Sequence, residues 1–312
     1  MDLLNKNIYS IVKRSYKHLT KQYGRTSKYS EYTGDRANEL IYECIKSNKP
    51  AMIARFGSNE LQATINYLNQ SNLFQNNKAY RYLHWNDVLT NMHIQAGFFP
   101  RDINLLQKFG ALMVGDMNQL DILGSWRYEE RFVKKYISGV KMVRLRDFEP
   151  YYHTNPWSRV LKDKKVLVIH PFEKSIQTQY SKRLNLFNDK NILPEFELST
   201  LKAVQSIAGN LTEYTTWFDA LEEMKANISS INFDIALIGC GAYGFPLSAH
   251  VKRLNKQAIH LGGALQLLFG IKGKRWENNP GIQNLVNSHW IYPLQEDTPQ
   301  GIQKVENGCY WK

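Results

Sequence analysis

The sequence has little cysteine: Cys44, Cys240 and Cys309 are the only three among 312 residues. Their odd count and wide spacing exclude a disulfide framework and a cysteine-rich zinc site, and predict three reduced thiols. No run of 18 or more apolar residues occurs, which excludes a membrane-spanning helix. The opening Met1-Asp2-Leu3-Leu4-Asn5-Lys6 lacks the apolar stretch of a secretory signal, so a cytoplasmic location is expected. GxSxG, HExxH, CxxC and Walker A sequences are absent, which removes support from the common hydrolase, zinc and P-loop classes. Internal repeats and low-complexity linkers are absent too. Acidic side chains are few, 28 against 40 Lys and Arg, giving a formal charge of +12. That balance suits anionic partners: nucleic acid, anionic lipid or phosphorylated small molecules. No nucleic-acid fold signature accompanies it, so nucleic acid ranks low as a partner.

What is present begins with a basic segment. Lys6, Lys13, Arg14, Lys17, Lys21, Arg25 and Lys28 are separated by no acidic residue, while Leu4, Ile8, Ile11, Val12 and Leu19 recur at helical spacing. The pattern favours a helix packed on the body with its basic face in water. The other reading is a peripheral contact with the inner face of the membrane, close to lipid-linked acceptors. A second helix is predicted over 35–47, stopped by Asn48-Lys49-Pro50. Ala51–Phe56 then reads as a buried strand, followed by a turn and a helix. Val140–Leu145, Val166–His170, Phe233–Ile238 and Gln257–Leu261 read as further strands, three of them followed by helices. Continuous apolar strands alternating with helices predict an α/β, Rossmann-like, mostly parallel sheet flanked by helices. The predicted organisation is a helical arm over 1–48 and one domain over 49–312.

Four constellations could carry chemistry. Gly239-Cys240-Gly241-Ala242-Tyr243-Gly244 is a GxGxxG between a strand and a helix, where Gly239, Gly241 and Gly244 would let a backbone approach phosphate. Close strand–helix packing is an equally good reason for these glycines. A dinucleotide site also wants an acid at the end of the next strand, which here reads His260-Leu261-Gly262-Gly263. Arg55-Phe56-Gly57-Ser58-Asn59-Glu60 is the second constellation. Arg55 could neutralise a diphosphate and Glu60 could act as a base or bind a metal. The same residues also make an ordinary helix start, with Ser58 as cap and Glu60 favourable to the helix dipole. Lys272, Lys274 and Arg275 around Gly273 form either a phosphate clamp or a solvated basic loop. His170 and Glu173 stand at a strand tip and the start of its helix, where a buried, hydrogen-bonded histidine is the commoner arrangement.

Longer segments carry a resemblance. AMIARFGSNEL over 51–61 resembles the strand and DxE segment of GT-D fold bacterial glycosyltransferases, whose usual form reads RFGDGE. The block from Phe233 to Trp276 resembles the later Rossmann-like part of that group, in a branch of polysaccharide and capsule biosynthesis proteins. DILGSW, EPYYHTNPWS, VLVIHPFEKSIQTQY and the terminal ENGCYW also look like that branch. The resemblance implies transfer of a sugar from a nucleotide-sugar donor, UDP-linked, to a carbohydrate or lipid-linked glycan acceptor in surface polysaccharide synthesis. It further implies a divalent metal, Mn²⁺ or Mg²⁺, held by an acidic pair. Glu60 matches the second acid of that pair, whereas Ser58 replaces the first, and a hydroxyl is a poor substitute for a carboxylate. Arg55, Gly57, Ser58, His170, Glu173, the three glycines of the later turn, Lys272, Lys274 and Arg275 are the expected donor contacts. Glu60 and Asp121 are the candidate bases. The rival readings are an NAD(P)-dependent oxidoreductase built on the glycine turn, and a non-catalytic scaffold that binds a nucleotide sugar without turning it over.

Overall fold

The computed structural model describes residues 30–70 and 85–312. The basic segment expected to form the first helix, at 4–28, therefore lies outside the described residues.

Seven strands, all parallel, form one sheet: β1 Ala51–Ala54, β2 Ile122–Ser125, β3 Lys141–Arg144, β4 Lys165–His170, β5 Glu197–Lys202, β6 Ile235–Ile238 and β7 Gln257–His260. Their order across the sheet is β3-β2-β1-β7-β6-β4-β5. Side chains alternate between two buried layers, as a strand's two-residue period requires. Leu167 and Ile169 join one core while Val166 and Val168 join the other. Ala236 and Ile238 oppose Ile235 and Leu237 in the same way. That double burial is why the central strands read as unbroken apolar runs. The two edge strands are polar instead, Lys141-Met142-Val143-Arg144 and Glu197-Leu198-Ser199-Thr200-Leu201-Lys202, which discourages pairing with another chain.

One face is covered by α2 Ser58–Gln70, α3 Trp85–Ala96, α4 Ile103–Asp116, α6 Trp217–Ser230 and α7 Gly244–Arg253. The other carries α1 Asp35–Lys46, α5 Glu173–Tyr180, α8 Leu265–Leu268 and the short α9 Pro280–Gln283. Helix α1 belongs to the body and not to an arm: Ala37, Ile41 and Ile45 are buried in the second core. Buried Asn38 fixes the helix further, accepting from the Trp157 N–H at 2.7 Å and donating to the Asn155 carbonyl at 2.7 Å. None of the helices among the described residues is long and apolar enough to cross a membrane.

The chain leaves β1 for α2 on one face, but leaves the neighbouring β7 for α8 on the other. It likewise leaves β6 and β4, also neighbours, for opposite faces. Diverging connections open a crevice beyond the carboxyl ends of the strands, the usual ligand position in open α/β sheets.

Candidate functional site

A cleft occupies that crevice. It is lined by residues at or just after the ends of β1 (Arg55, Gly57, Glu60), β2 (Trp126), β4 (His170), β6 (Gly239, Gly241) and β7 (His260, Gly262). The C-terminal segment closes its far side with Arg275, Glu306 and Tyr310. About 1060 Å³ of space lies within it, counting the part open to solvent.

Arg55 follows the last residue of β1, and its guanidinium lies 4.8 Å from the centre of the Trp126 ring. Trp126 is itself fixed, donating from Nε1 to the Phe56 carbonyl at 2.9 Å. The turn bearing Trp126 is gathered by the buried carboxylate of Glu130. Its Oε2 accepts from Ser125 Oγ at 2.5 Å, and its Oε1 accepts from the N–H groups of Trp126 and Arg127 at 3.1 and 2.9 Å. Arg55 is thus held by stacking, and among the described residues no acceptor takes its guanidinium protons. Burial pushes its pKa down while Glu60 opposes that shift, and an arginine stays charged under such conditions. An unspent planar fork of donors at the floor of a cleft suits an oxyanion with two acceptor oxygens.

Glu60 lies in the first turn of α2. Its carboxylate fills the space above Gly57: a methyl there would lie 2.5 Å from Oε1 and overlap Oε2 outright. Gly57 is therefore needed for the carboxylate, not for an unusual backbone angle. Burial pushes the Glu60 pKa above the ordinary carboxylate value, with its own backbone N–H and Arg55 opposing. Ser58 is the first residue of α2 and also lines the cleft.

Two buried imidazoles line the wall. Burial holds both pKa values down to about 3, so both are neutral at physiological pH. His170 Nδ1 accepts from the Phe172 N–H at 2.9 Å, which leaves Nε2–H as a donor. His260 Nδ1 lies 3.2 Å from the Ile238 carbonyl, so that nitrogen carries the proton and Nε2 is an acceptor.

The glycine-rich turn serves both packing and the cleft. A methyl at Gly239 would meet the Gly262 carbonyl at 2.6 Å and His170 Cδ2 at 2.8 Å, and Gly241 has φ 56° beside the Ala96 carbonyl. Both line the cleft. Gly244 does not. A methyl there would strike the His260 ring, 2.5 Å from Nδ1, so this glycine makes room for a histidine and contacts no ligand.

Four other expected contacts lie elsewhere. Asp121 stands at the opposite, amino edge of the sheet, where Oδ2 accepts from the Met52 N–H at 2.8 Å and from Lys252 Nζ at 2.7 Å. It ties β1, β2 and the end of α7 together and is no catalytic base. Glu173 points along α5 towards β5, where Oε1 accepts from Thr200 Oγ1 at 2.9 Å. Lys272 lies 4.6 Å from the Tyr292 ring centre, and Lys274 is exposed outside the cleft. Gly273 lets the loop pack on the C-terminal segment, since a methyl there would be 2.7 Å from the Tyr310 carbonyl oxygen. Only Arg275 of that loop turns inward.

The implied metal does not fit these residues. Glu60 is the only carboxylate of the expected pair, and among the described residues no three His, Cys, Asp or Glu side chains converge on one point. Trp126, His260, Glu306 and Tyr310 line the cleft as well, beyond the residues expected from the sequence. Trp126, Glu306 and Tyr310 fall in the DILGSW and ENGCYW segments, which were the available signal. No family model matches the chain, and no curated protein or solved structure gives a significant match to it.

Proposed function

We propose that this chain is a glycosyltransferase that takes a nucleoside-diphosphate sugar into the cleft. The observation that carries the reading is Arg55: a stacked guanidinium without a protein acceptor among the described residues, at the carboxyl edge of the sheet. The resemblance of 51–61 to the GT-D segment supplies the reaction class, and the cleft supplies a matching set of groups.

In this reading Arg55 receives the diphosphate, and the Nε2–H of His170 and the backbone around Gly239–Gly241 complete its surroundings. The bond from the anomeric carbon to the diphosphate oxygen breaks while the acceptor hydroxyl oxygen bonds to that carbon. Negative charge grows on the leaving diphosphate, where a preorganised cation stabilises it most. Glu60 takes the hydroxyl proton; its raised pKa makes it a stronger base than an ordinary carboxylate, which suits that task. No step is assigned to a metal, because the donor set is incomplete.

The test is release of nucleoside diphosphate from a panel of nucleotide sugars, with a polysaccharide and lipid extract as acceptor. Release by the wild type that falls at least about 100-fold in Glu60→Gln supports the reading. No release from any donor, or equal release by Glu60→Gln, overturns it.

A further inference from the structure

Four charged side chains line the cleft, and they form two unlike pairs. Arg55 and Glu60 lie on the floor and make no ion pair with each other. Arg275 and Glu306 lie at the rim and do: Arg275 Nη2 donates to Glu306 Oε2. Arg275 is held besides by Tyr310, with Nη1 3.0 Å from the hydroxyl and the guanidinium 4.5 Å from the ring centre. The floor and rim cations are near enough to interact, since Arg275 is among the groups that, after burial, push the Arg55 pKa down. A methyl on Gly262 would touch Arg55 Cδ at 3.6 Å, and one on the adjacent Gly263 would overlap the Tyr310 ring at Cε1.

The backbone that delivers Glu306 is unusual. Glu306, Asn307 and Gly308 all have positive φ, at 45°, 58° and 76°. A glutamate rarely adopts that region, which costs a residue with a Cβ on the order of 1 kcal/mol. The flanks are fastened. Val305, Cys309 and Trp311 are buried, and the N–H groups of Arg275 and Lys274 donate to the carbonyls of Cys309 and Trp311 at 2.9 and 2.8 Å. Glu306 and Asn307 are the exposed tip between these anchors, and the Glu306 side chain is 56% exposed.

A strained, solvent-facing carboxylate on a cleft cation has the chemistry of a place-holder for another anion. We infer that Glu306 is an exchangeable counter-ion for Arg275, and that the second phosphate of a bound diphosphate displaces it. This rests on the reading that Arg55 takes the first phosphate. Arg55 alone then sets whether a diphosphate binds, and Glu306 sets how tightly, because its release is part of each binding event. The exchange leaves the Arg275–Tyr310 contact in place, so the arginine keeps its direction while its partner changes.

The experiment is calorimetric titration of inorganic pyrophosphate into the full chain and into Glu306→Gln, Glu306→Gly, Arg275→Met and Arg55→Met, each checked for fold by circular dichroism. Glu306→Gly suits the left-handed backbone, so it covers the case in which Glu306→Gln folds poorly. The expected result is affinity raised about two- to five-fold in both Glu306 variants, the worth of a half-exposed ion pair, and no such gain when Arg275→Met is also present. Affinity unchanged or weakened in Glu306→Gln and Glu306→Gly would overturn the inference, with Glu306 then a structural tie for the tail. Wild-type binding that needs Arg55 but ignores position 306 removes this inference alone. Absence of pyrophosphate binding by the wild type removes the diphosphate reading with it.

Discussion

Replacing Gly57 with alanine separates the two roles that the RFGSNE segment could have. The backbone at Gly57 is not left-handed, so alanine can adopt it without strain. Fewer conformations in the unfolded chain would by themselves stabilise the variant by about 0.4–1 kcal/mol. Against this stands the overlap of the new methyl with the Glu60 carboxylate. That carboxylate ends a flexible side chain, so it can rotate away at modest cost. The net change in stability should stay within ~1 kcal/mol in either direction. Catalysis should respond far more. A displacement of about 1 Å in a reacting group costs roughly 100-fold, and a general base contributes roughly 10²–10⁴-fold. The assay is nucleoside-diphosphate release alongside thermal unfolding, in the wild type, Gly57→Ala, Glu60→Gln and the double variant. Turnover near 1% of wild type with an unchanged midpoint is expected, and the double variant should be no slower than Glu60→Gln. Full turnover in Gly57→Ala, or losses that multiply in the double variant, would refute the placement of Glu60 as the base.

Three more outcomes are expected. Because burial raises the Glu60 pKa, its base form is lost at higher pH than for a free carboxylate; the acid limb of the pH–rate profile should lie above 4.5 and vanish in Glu60→Gln. His170 and His260 have folded pKa values near 3 against 6.5 for the free side chain, so the unfolded chain binds more protons between those values. Their contribution is complete above pH 6.5 and is lost as pH falls towards 3, by on the order of a few kcal/mol each. Urea unfolding of His260→Gln across that range should show a shallower pH slope than the wild type, and an identical slope would contradict the neutral buried imidazole. Gly244→Ala should lose about 1–3 kcal/mol by overpacking against the His260 ring, measured by the same unfolding curves, and His260→Ala in the same chain should restore part of it.

The interior of the sheet is legible because β4, β6 and β7 are buried on both faces, and the turns after β6 and β7 carry glycine. Strand β5 is not: Glu197-Leu198-Ser199-Thr200-Leu201-Lys202 is an exposed edge whose side chains carry no apolar run. Helix α6 was passed over too, although Thr216 caps it, accepting from the Asp219 N–H at 3.2 Å. The RFGSNE segment pointed to the cleft through its position after a strand, whereas Asp121 misled because a local sequence does not tell which end of a strand a side chain caps. Lys272, Lys274 and Glu173 failed for a related reason. Cationic or acidic character near a site is visible in the sequence, but the direction of Lys272 and Glu173 depends on contacts with Tyr292 and Thr200, which are 20 or more residues away along the chain. The Arg275–Glu306 pair joins residues 31 apart and could not be read locally.

The most direct test of the account is thermal stabilisation of the wild type and Arg55→Met against UDP, GDP, CMP, NAD and several nucleotide sugars, each with and without Mn²⁺. A ligand held by the folded state raises the midpoint by mass action. The expected result is a rise with one nucleoside diphosphate and its sugar, independent of manganese, weakened in Arg55→Met by about 10- to 100-fold in affinity. A rise with NAD alone, or a nucleotide response that survives in Arg55→Met, would contradict it.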